Sequence, residues 1–213
     1  MVPVVYQDGH ALLQRVVCGR FSNNAYVLVC RATGEGLLVD APEEPEKVLQ
    51  ALQGVRVRAI LLTHRHPDHW AGLASIKTAL HAPVGIGEAD ADGLPVPPDF
   101  VIADGQVFPF GRLALRAMAT PGHTPGSTCF LWGRYLLSGD TLFPGGPGHT
   151  RTPQDFRQIV ESIRRHLLVL PEETVVLPGH GEGTTIGKAR EEYALFASRP
   201  HPPDLCGDVL WAG

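Results

Sequence analysis

The chain is predicted to be an α+β protein, a sandwich of two sheets packed face to face with helices outside. Three observations point there. Short apolar segments of strand length fall into two groups, one before residue 63 and one between residues 107 and 177. Each group is followed by segments whose apolar residues recur at helical spacing. No repeat or low-complexity linker divides the 213 residues, a length that suits one domain with a sizeable core. Residues 1–213 are therefore expected to form a single domain, with 199–213 as an irregular, proline-containing tail.

The elements follow in chain order. Residues 25–30 (AYVLVC) and 36–40 (GLLVD) are apolar strands separated by a turn-like Ala32-Thr33-Gly34. Residues 43–52 place Val48, Leu49 and Leu52 at helical spacing. Residues 57–62 (VRAILL) make a buried strand, and a histidine-rich segment and a helix over 71–80 come next. The proline- and glycine-rich stretch 81–104 is expected to be loop with one short strand near 84–86. Segments 107–110, 113–119, 128–132 and 135–137 look like consecutive antiparallel strands. Residues 153–168 form an amphipathic helix with Phe156, Ile159, Val160, Ile163 and Leu167 on one face, Thr152 as N-cap and Pro153 in the first turn. A strand at 174–177 and a helix at 186–197 complete the pattern.

Composition bounds the function. Apolar residues make up 44% and charged residues 19%, ordinary for a globular protein. A net charge of −4 supplies no basic face for nucleic acid. Residues 1–10 hold no basic-then-apolar leader, and no apolar run reaches membrane-spanning length. A cytoplasmic protein with a small-molecule substrate, and neither a nucleic-acid nor a membrane partner, is the expectation. Cys18, Cys30 and Cys129 lie among strand residues and are expected as buried thiols, and Cys206 in a polar, exposed setting.

The chemistry is concentrated in Thr63-His64-Arg65-His66-Pro67-Asp68-His69, just past a strand. Three imidazoles and a carboxylate within six residues form a dense set of metal-binding groups. Alternate residues of extended chain point to opposite sides, so His64 and His66 can converge only from a loop. Three further strand ends carry one such group each in a glycine-containing turn: His123 in TPGHTPGS, Asp140 in LSGDTLF and His180 in LPGHGEG. Each alone could be an ordinary turn; four in this order are a strong signal.

The order THxHxDH, GHT, GDTLF, PGHG resembles the metallo-β-lactamase superfamily, and within it the glyoxalase II-like branch, over residues 24 to 188. The resemblance implies a four-layer αββα sandwich with metals at one edge between the sheets. It implies that His64, His66 and His123 bind one divalent ion, that Asp68, His69 and His180 bind a second, and that Asp140 bridges them. Zinc is the expected metal, with iron or manganese as alternatives. Asp40 matches the position that supports ligand histidines by hydrogen bonding, although it could equally be a strand-end turn residue. Two ions about 3.5–4 Å apart can share a water whose pKa falls to about 7, so a metal-bridging hydroxide is the expected nucleophile on a small thioester or ester. Asp68 would orient it or move its proton. His149 stands where glyoxalase II places a substrate-binding lysine; it and Arg151 are candidate contacts to an anionic substrate, or else solvated loop residues. The alternatives are a mononuclear-iron persulfide dioxygenase of the same superfamily, a lactonase, a tRNA-processing type of nuclease, and a non-catalytic metal-binding protein.

Overall fold

The computed structural model describes residues 3–212. The first sheet has seven strands in sequential order: β1 Val4–Gln7, β2 Ala11–Cys18, β3 Asn23–Cys30, β4 Glu35–Val39, β5 Arg56–Leu61, β6 Val84–Gly87 and β7 Phe100–Ile102. β1 to β4 pair antiparallel, and β4 to β7 pair parallel. The second part of the chain contains β8 Val107–Phe110, β9 Leu113–Ala119, β10 Thr128–Trp132 and β11 Tyr135–Gly139, a short ribbon of β12 Leu142–Phe143 and β13 Gly146–Pro147, then β14 Val175–Pro178 and β15 Thr184–Thr185. Six of these form the second sheet in the order β15-β14-β11-β10-β9-β8, with β11 and β14 parallel.

Helices α1 Pro45–Ala51 and α2 Leu73–Leu80 cover the outer face of the first sheet, and α3 Pro153–Ser162 and α4 Ile186–Ala197 that of the second. The side-chain alternation of β3 builds this arrangement. Tyr26 and Leu28 point into the core between the sheets with Leu37, Leu61, Phe130 and Leu137. Ala25, Val27 and Val29 point the other way, toward Val48, Leu52 and Ile76 of the helical layer. A strand buried on both faces must be apolar throughout, which is why AYVLVC has no polar alternation. The third core holds Phe156, Ile159 and Ile163 against Leu136 and Val176, with Phe196 from α4. The resulting layers are helix, sheet, sheet, helix: the αββα sandwich of the metallo-β-lactamase fold.

Several local readings need correction. Two N-terminal strands precede residue 25; Gln14 and Arg15 break the apolar run of β2, which is half-buried where β1 covers it. The stretch 81–104 contains β6, a 3-10 turn Glu88–Gly93 and the three-residue β7, too short to show a period. The helix read over 153–168 is α-helical to Ser162 and then widens to a π turn over Ile163–Leu167, with Leu168 N–H donating to the Ile163 carbonyl at 2.9 Å. The widened turn keeps both Ile163 and Leu167 fully buried. Thr152 does cap α3, its hydroxyl accepting from Asp155 N–H at 3.2 Å. Cys206 is half-buried against the third core, because the tail folds back onto α4.

The parallel pairs β4–β5 and β11–β14 end at the same edge of the sandwich, where ligand sites in such sheets lie. β4 and β5 deliver Asp40 and the segment 63–69; β11 and β14 deliver Asp140 and His180. The sheets are stitched there by Thr128 N–H to Thr63 carbonyl at 2.9 Å, Asn24 N–H to Gly179 carbonyl at 2.7 Å, and Tyr26 Oη–H to Pro178 carbonyl at 2.7 Å.

Candidate metal centre

The six histidine and aspartate side chains of the two expected triads, with Asp140, meet at this edge. His66 leaves the strand direction with φ −66° and ψ 138°, and Pro67–His69 closes into one 3-10 turn. His64 then presents Nε2 and His66 presents Nδ1, so neighbours on opposite sides of the backbone reach one point, 3.1 Å apart. His123 Nε2 comes from the other sheet to 2.9 Å from His66 Nδ1. Beside this group, His69 Nε2 and His180 Nε2 lie 3.2 Å apart, and Asp68 Oδ2 lies 3.2 Å from His180 Nε2. Asp140 stands between the groups, Oδ1 at 3.4 Å from His69 Nε2 and Oδ2 at 3.6 Å from His123 Nε2. In each of three overlapping sets, His64-His66-His123, His64-His69-Asp140 and Asp68-His69-His180, the donor atoms lie within 4.8 Å of one another.

The donors fit a cation. His123 Nδ1–H donates to the His149 carbonyl at 2.8 Å and His180 Nδ1–H to the Phe21 carbonyl at 2.9 Å. A carbonyl can only accept, so the neutral form of each ring carries its lone pair on Nε2, aimed inward. His69 Nδ1 is fixed by Asp40 Oδ2 at 2.8 Å, which aims its Nε2 the same way. Converging lone pairs repel unless a proton or metal ion lies between them. Asp140 Oδ1 is buried and has no hydrogen-bond partner, as expected of an oxygen reserved for an ion.

The protein's own electrostatics agree. Burial pushes His64 well below the ordinary imidazole range, and burial followed by the nearby His123 lowers His66 to about 4, so both are neutral donors. On the other side burial opposes charge, yet hydrogen bonds to Asp140 and Asp68 raise His180 to about 10. Burial likewise opposes the Asp140 carboxylate, but the His69 charge and the His180 hydrogen bond hold it well below its usual range. The carboxylate-bearing side thus demands positive charge, which a metal ion supplies when it displaces the protons.

Supporting residues complete the site. Asp40 is 2% exposed and accepts from Thr63 N–H at 2.8 Å, from Thr63 Oγ1–H at 2.9 Å and from His69. Sequence reasoning missed two others. Asn23 Nδ2–H donates to Asp68 Oδ2 at 2.9 Å. The fully buried Asp90 accepts from Arg65 N–H at 3.1 Å, Thr124 Oγ1–H at 2.6 Å and Gly126 N–H at 2.9 Å, tying the His64 loop to the His123 loop. The Asp92-Gly93 turn signal lay nearby, but no spacing linked Asp90 to its partners. Gly179 allows the closest backbone approach: a Cβ there would collide with the Asp140 carboxylate and lie 2.6 Å from His69 Cε1. Gly179→Ala is expected to weaken metal binding by about 10–100-fold, the cost of disturbing ligand orientation, measured by competition with a chromophoric chelator.

The expected anion contacts fare differently. His149 lines the cleft in front of the site, with its ring 3.1 Å from Asp208 Oδ1 and its carbonyl on His123. Arg151 is exposed and is not among the residues lining the cleft.

The model of the metallo-β-lactamase superfamily matches residues 18–180, most of the chain. The chain belongs to the metallo-β-lactamase superfamily. Within this superfamily it is glyoxalase II-like: it is 39% identical over 163 residues to a hydroxyacylglutathione hydrolase of Anaeromyxobacter dehalogenans, covering 76% of this chain and 63% of that enzyme. It is also similar to the "Probable polyketide biosynthesis zinc-dependent hydrolase BaeB" of Bacillus velezensis, at 32% identity over 80% of this chain and 78% of the relative. Among solved structures, TTHA1623 in a di-iron-bound form superposes with a TM-score of 0.69 at 34% identity, covering 83% of this chain and 96% of that one. The chain thus belongs to a superfamily of metal-dependent hydrolases and brings together histidine and aspartate groups that could hold metal. Among the described residues no helix is long and apolar enough to cross a membrane.

Proposed function

We propose that the protein is a dinuclear metallohydrolase acting on a small thioester or ester. The observation that carries this reading is the convergence of inward-aimed lone pairs from His64, His66 and His123, and from His69 and His180 with Asp68, on either side of Asp140. In this reading His64, His66 and His123 hold one ion, Asp68, His69 and His180 the other, and Asp140 serves both. Bound ions supply Lewis acidity toward the carbonyl and an activated water near neutral pH.

The chain's own groups do the rest. Asp68 Oδ2, steadied by Asn23, faces the centre and is placed to accept the proton of the attacking water and pass it to the leaving group. Phe143 lies near-parallel to the His180 ring, 6.5 Å between centroids, and lines the cleft beside it. Zinc is the favoured metal, supported by the zinc-dependent relative; the di-iron-bound relative makes iron the second reading. The substrate is a small molecule, with neither nucleic acid nor membrane as partner, and the protein acts in the cytoplasm. Because the chain covers only 63% of the hydroxyacylglutathione hydrolase, the glutathione carrier is not carried over with the chemistry.

The test is metal removal and return. Dialysis against a chelator should abolish hydrolysis of a panel of thioesters, esters and lactones, and two equivalents of zinc per chain should restore it. Retention of one iron per chain, with oxygen uptake on a glutathione persulfide and no hydrolysis, would replace this reading with the dioxygenase.

A further inference from the structure

The cleft in front of the metal centre, about 360 Å³, has one wall that lies beyond the family match, which ends at residue 180. Asp208, Val209 and Leu210 of the C-terminal tail face it together with Phe143 and His149. The tail is locked in place. Trp211 is 1% exposed, its ring 5.1 Å from Tyr193, and its backbone N–H donates to the Gly145 carbonyl at 2.7 Å. Gly207 and Thr150 exchange two backbone hydrogen bonds of 2.9 and 3.2 Å. Gly146, at φ +149°, permits this contact, since a Cβ there would lie 2.8 Å from the Val209 carbonyl oxygen. The 207–211 strap and the loop carrying His149 are therefore pinned together.

The chemistry of the wall is specific. Asp208 Oδ1 sits 3.1 Å from His149 Nδ1, so of the two candidate anion contacts the one that lines the cleft already faces a carboxylate. Among the described residues that line it there is no lysine or arginine. Of the arginines around His180, Arg20 lies over the Phe21 ring at 4.7 Å and Arg15 pairs with Glu182 at 3.1 Å. Leu210, by contrast, is left 69% exposed at the cleft, an apolar surface with nothing over it.

We propose that the strap is the specificity wall of this cleft and Asp208 its specificity-determining residue. Asp208 disfavours substrates that carry carboxylates beyond the reacting carbonyl, while Leu210 and Phe143 contact an uncharged, apolar substituent. The favoured class is thus a neutral, apolar thioester or ester rather than one on an acidic carrier; this rests on the hydrolase reading of the same cleft.

The test uses two thiol probes, neutral benzyl mercaptan and dianionic mercaptosuccinate, titrated calorimetrically into zinc-loaded wild type, Asp208→Asn, Asp208→Lys and Leu210→Ala. A matched pair of aryl thioacetates, one neutral and one carboxylated, follows turnover in parallel. The Asp208 side chain is 88% exposed, so its variants keep the fold. Wild type should prefer the neutral probe. Asp208→Asn should shift the affinity ratio toward mercaptosuccinate by about threefold and Asp208→Lys by about tenfold, as expected for exposed charges, and high ionic strength should shrink both shifts. Leu210→Ala should weaken benzyl mercaptan by about threefold. An unchanged ratio in Asp208→Lys, or no binding of either probe to wild type, overturns the proposal. A shifted ratio with no turnover of either thioacetate upholds the wall and removes the hydrolase reading instead.

Discussion

Asp140→Asn is expected to lose both metal ions and essentially all hydrolysis while keeping its fold. Asp140 is the one carboxylate placed to serve both triads, at 3.4 Å from His69 and 3.6 Å from His123. Its Oδ1 has no other partner, so no hydrogen bond competes for the lone pair that the amide would surrender. Changing a group one step removed from a metal costs about 10–100-fold in affinity or activity. Losing the shared donor itself should therefore exceed about 100-fold in kcat/KM. Elemental analysis should give less than one ion per chain, and circular dichroism should be unchanged because asparagine fills the same volume. A variant that retains two ions would show that Asp140 is not a ligand, and the two-ion reading would fall with it.

Asp40→Ala is expected to damage the centre and the fold together, and Asp40→Asn to separate the two effects. Asp40 is buried and holds a left-handed backbone at φ 61°, which aspartate and asparagine tolerate far better than alanine. Its carboxylate receives the Thr63 amide, the Thr63 hydroxyl and His69 Nδ1. Alanine would orphan buried donors and strain the backbone, costing about 2–5 kcal/mol together. For a domain of this size that lowers Tm by about 5–15 °C. His69 would also lose its anchor, so metal affinity should fall by about 10–100-fold. Asparagine keeps the backbone conformation and an acceptor for Thr63 N–H but removes the charge facing His69. It should melt close to wild type in the chelated state yet still bind metal more weakly. Equal metal affinity in wild type and Asp40→Asn would assign Asp40 to the strand-end turn alone.

How much was legible follows from how local each signal is. His64, His66, Asp68 and His69 lie within six residues, so their density was visible without a fold. The two-sided burial of β3 and the apolar face of α3 were visible for the same reason, as periodicities within single elements. Asn23 was invisible because its partner Asp68 is 45 residues away, and Asp90 because it acts on Gly126, 36 residues on. The strap at 207–211 looked like an irregular tail because its anchors, Gly145, Thr150 and Tyr193, are all distant in sequence. His149 suggested an anion contact by position alone; that Asp208 sits against it was decided by the fold.

By itself the amino-acid order determined the inventory: seven metal-seeking side chains at strand ends, the glycines beside them, and the alternation that makes two sheets share a core. Tertiary structure decided the rest. It chose which nitrogen of His180 and of His123 faces inward, through carbonyls of Phe21 and His149 that belong to other segments. It also decided that an apparently idle tail walls the cleft. The physical reason is the same in both cases. Residue type and short spacing are properties of neighbours along the chain, whereas lone-pair direction and cleft charge are set by hydrogen bonds and ion pairs that only folding brings within 3 Å or so.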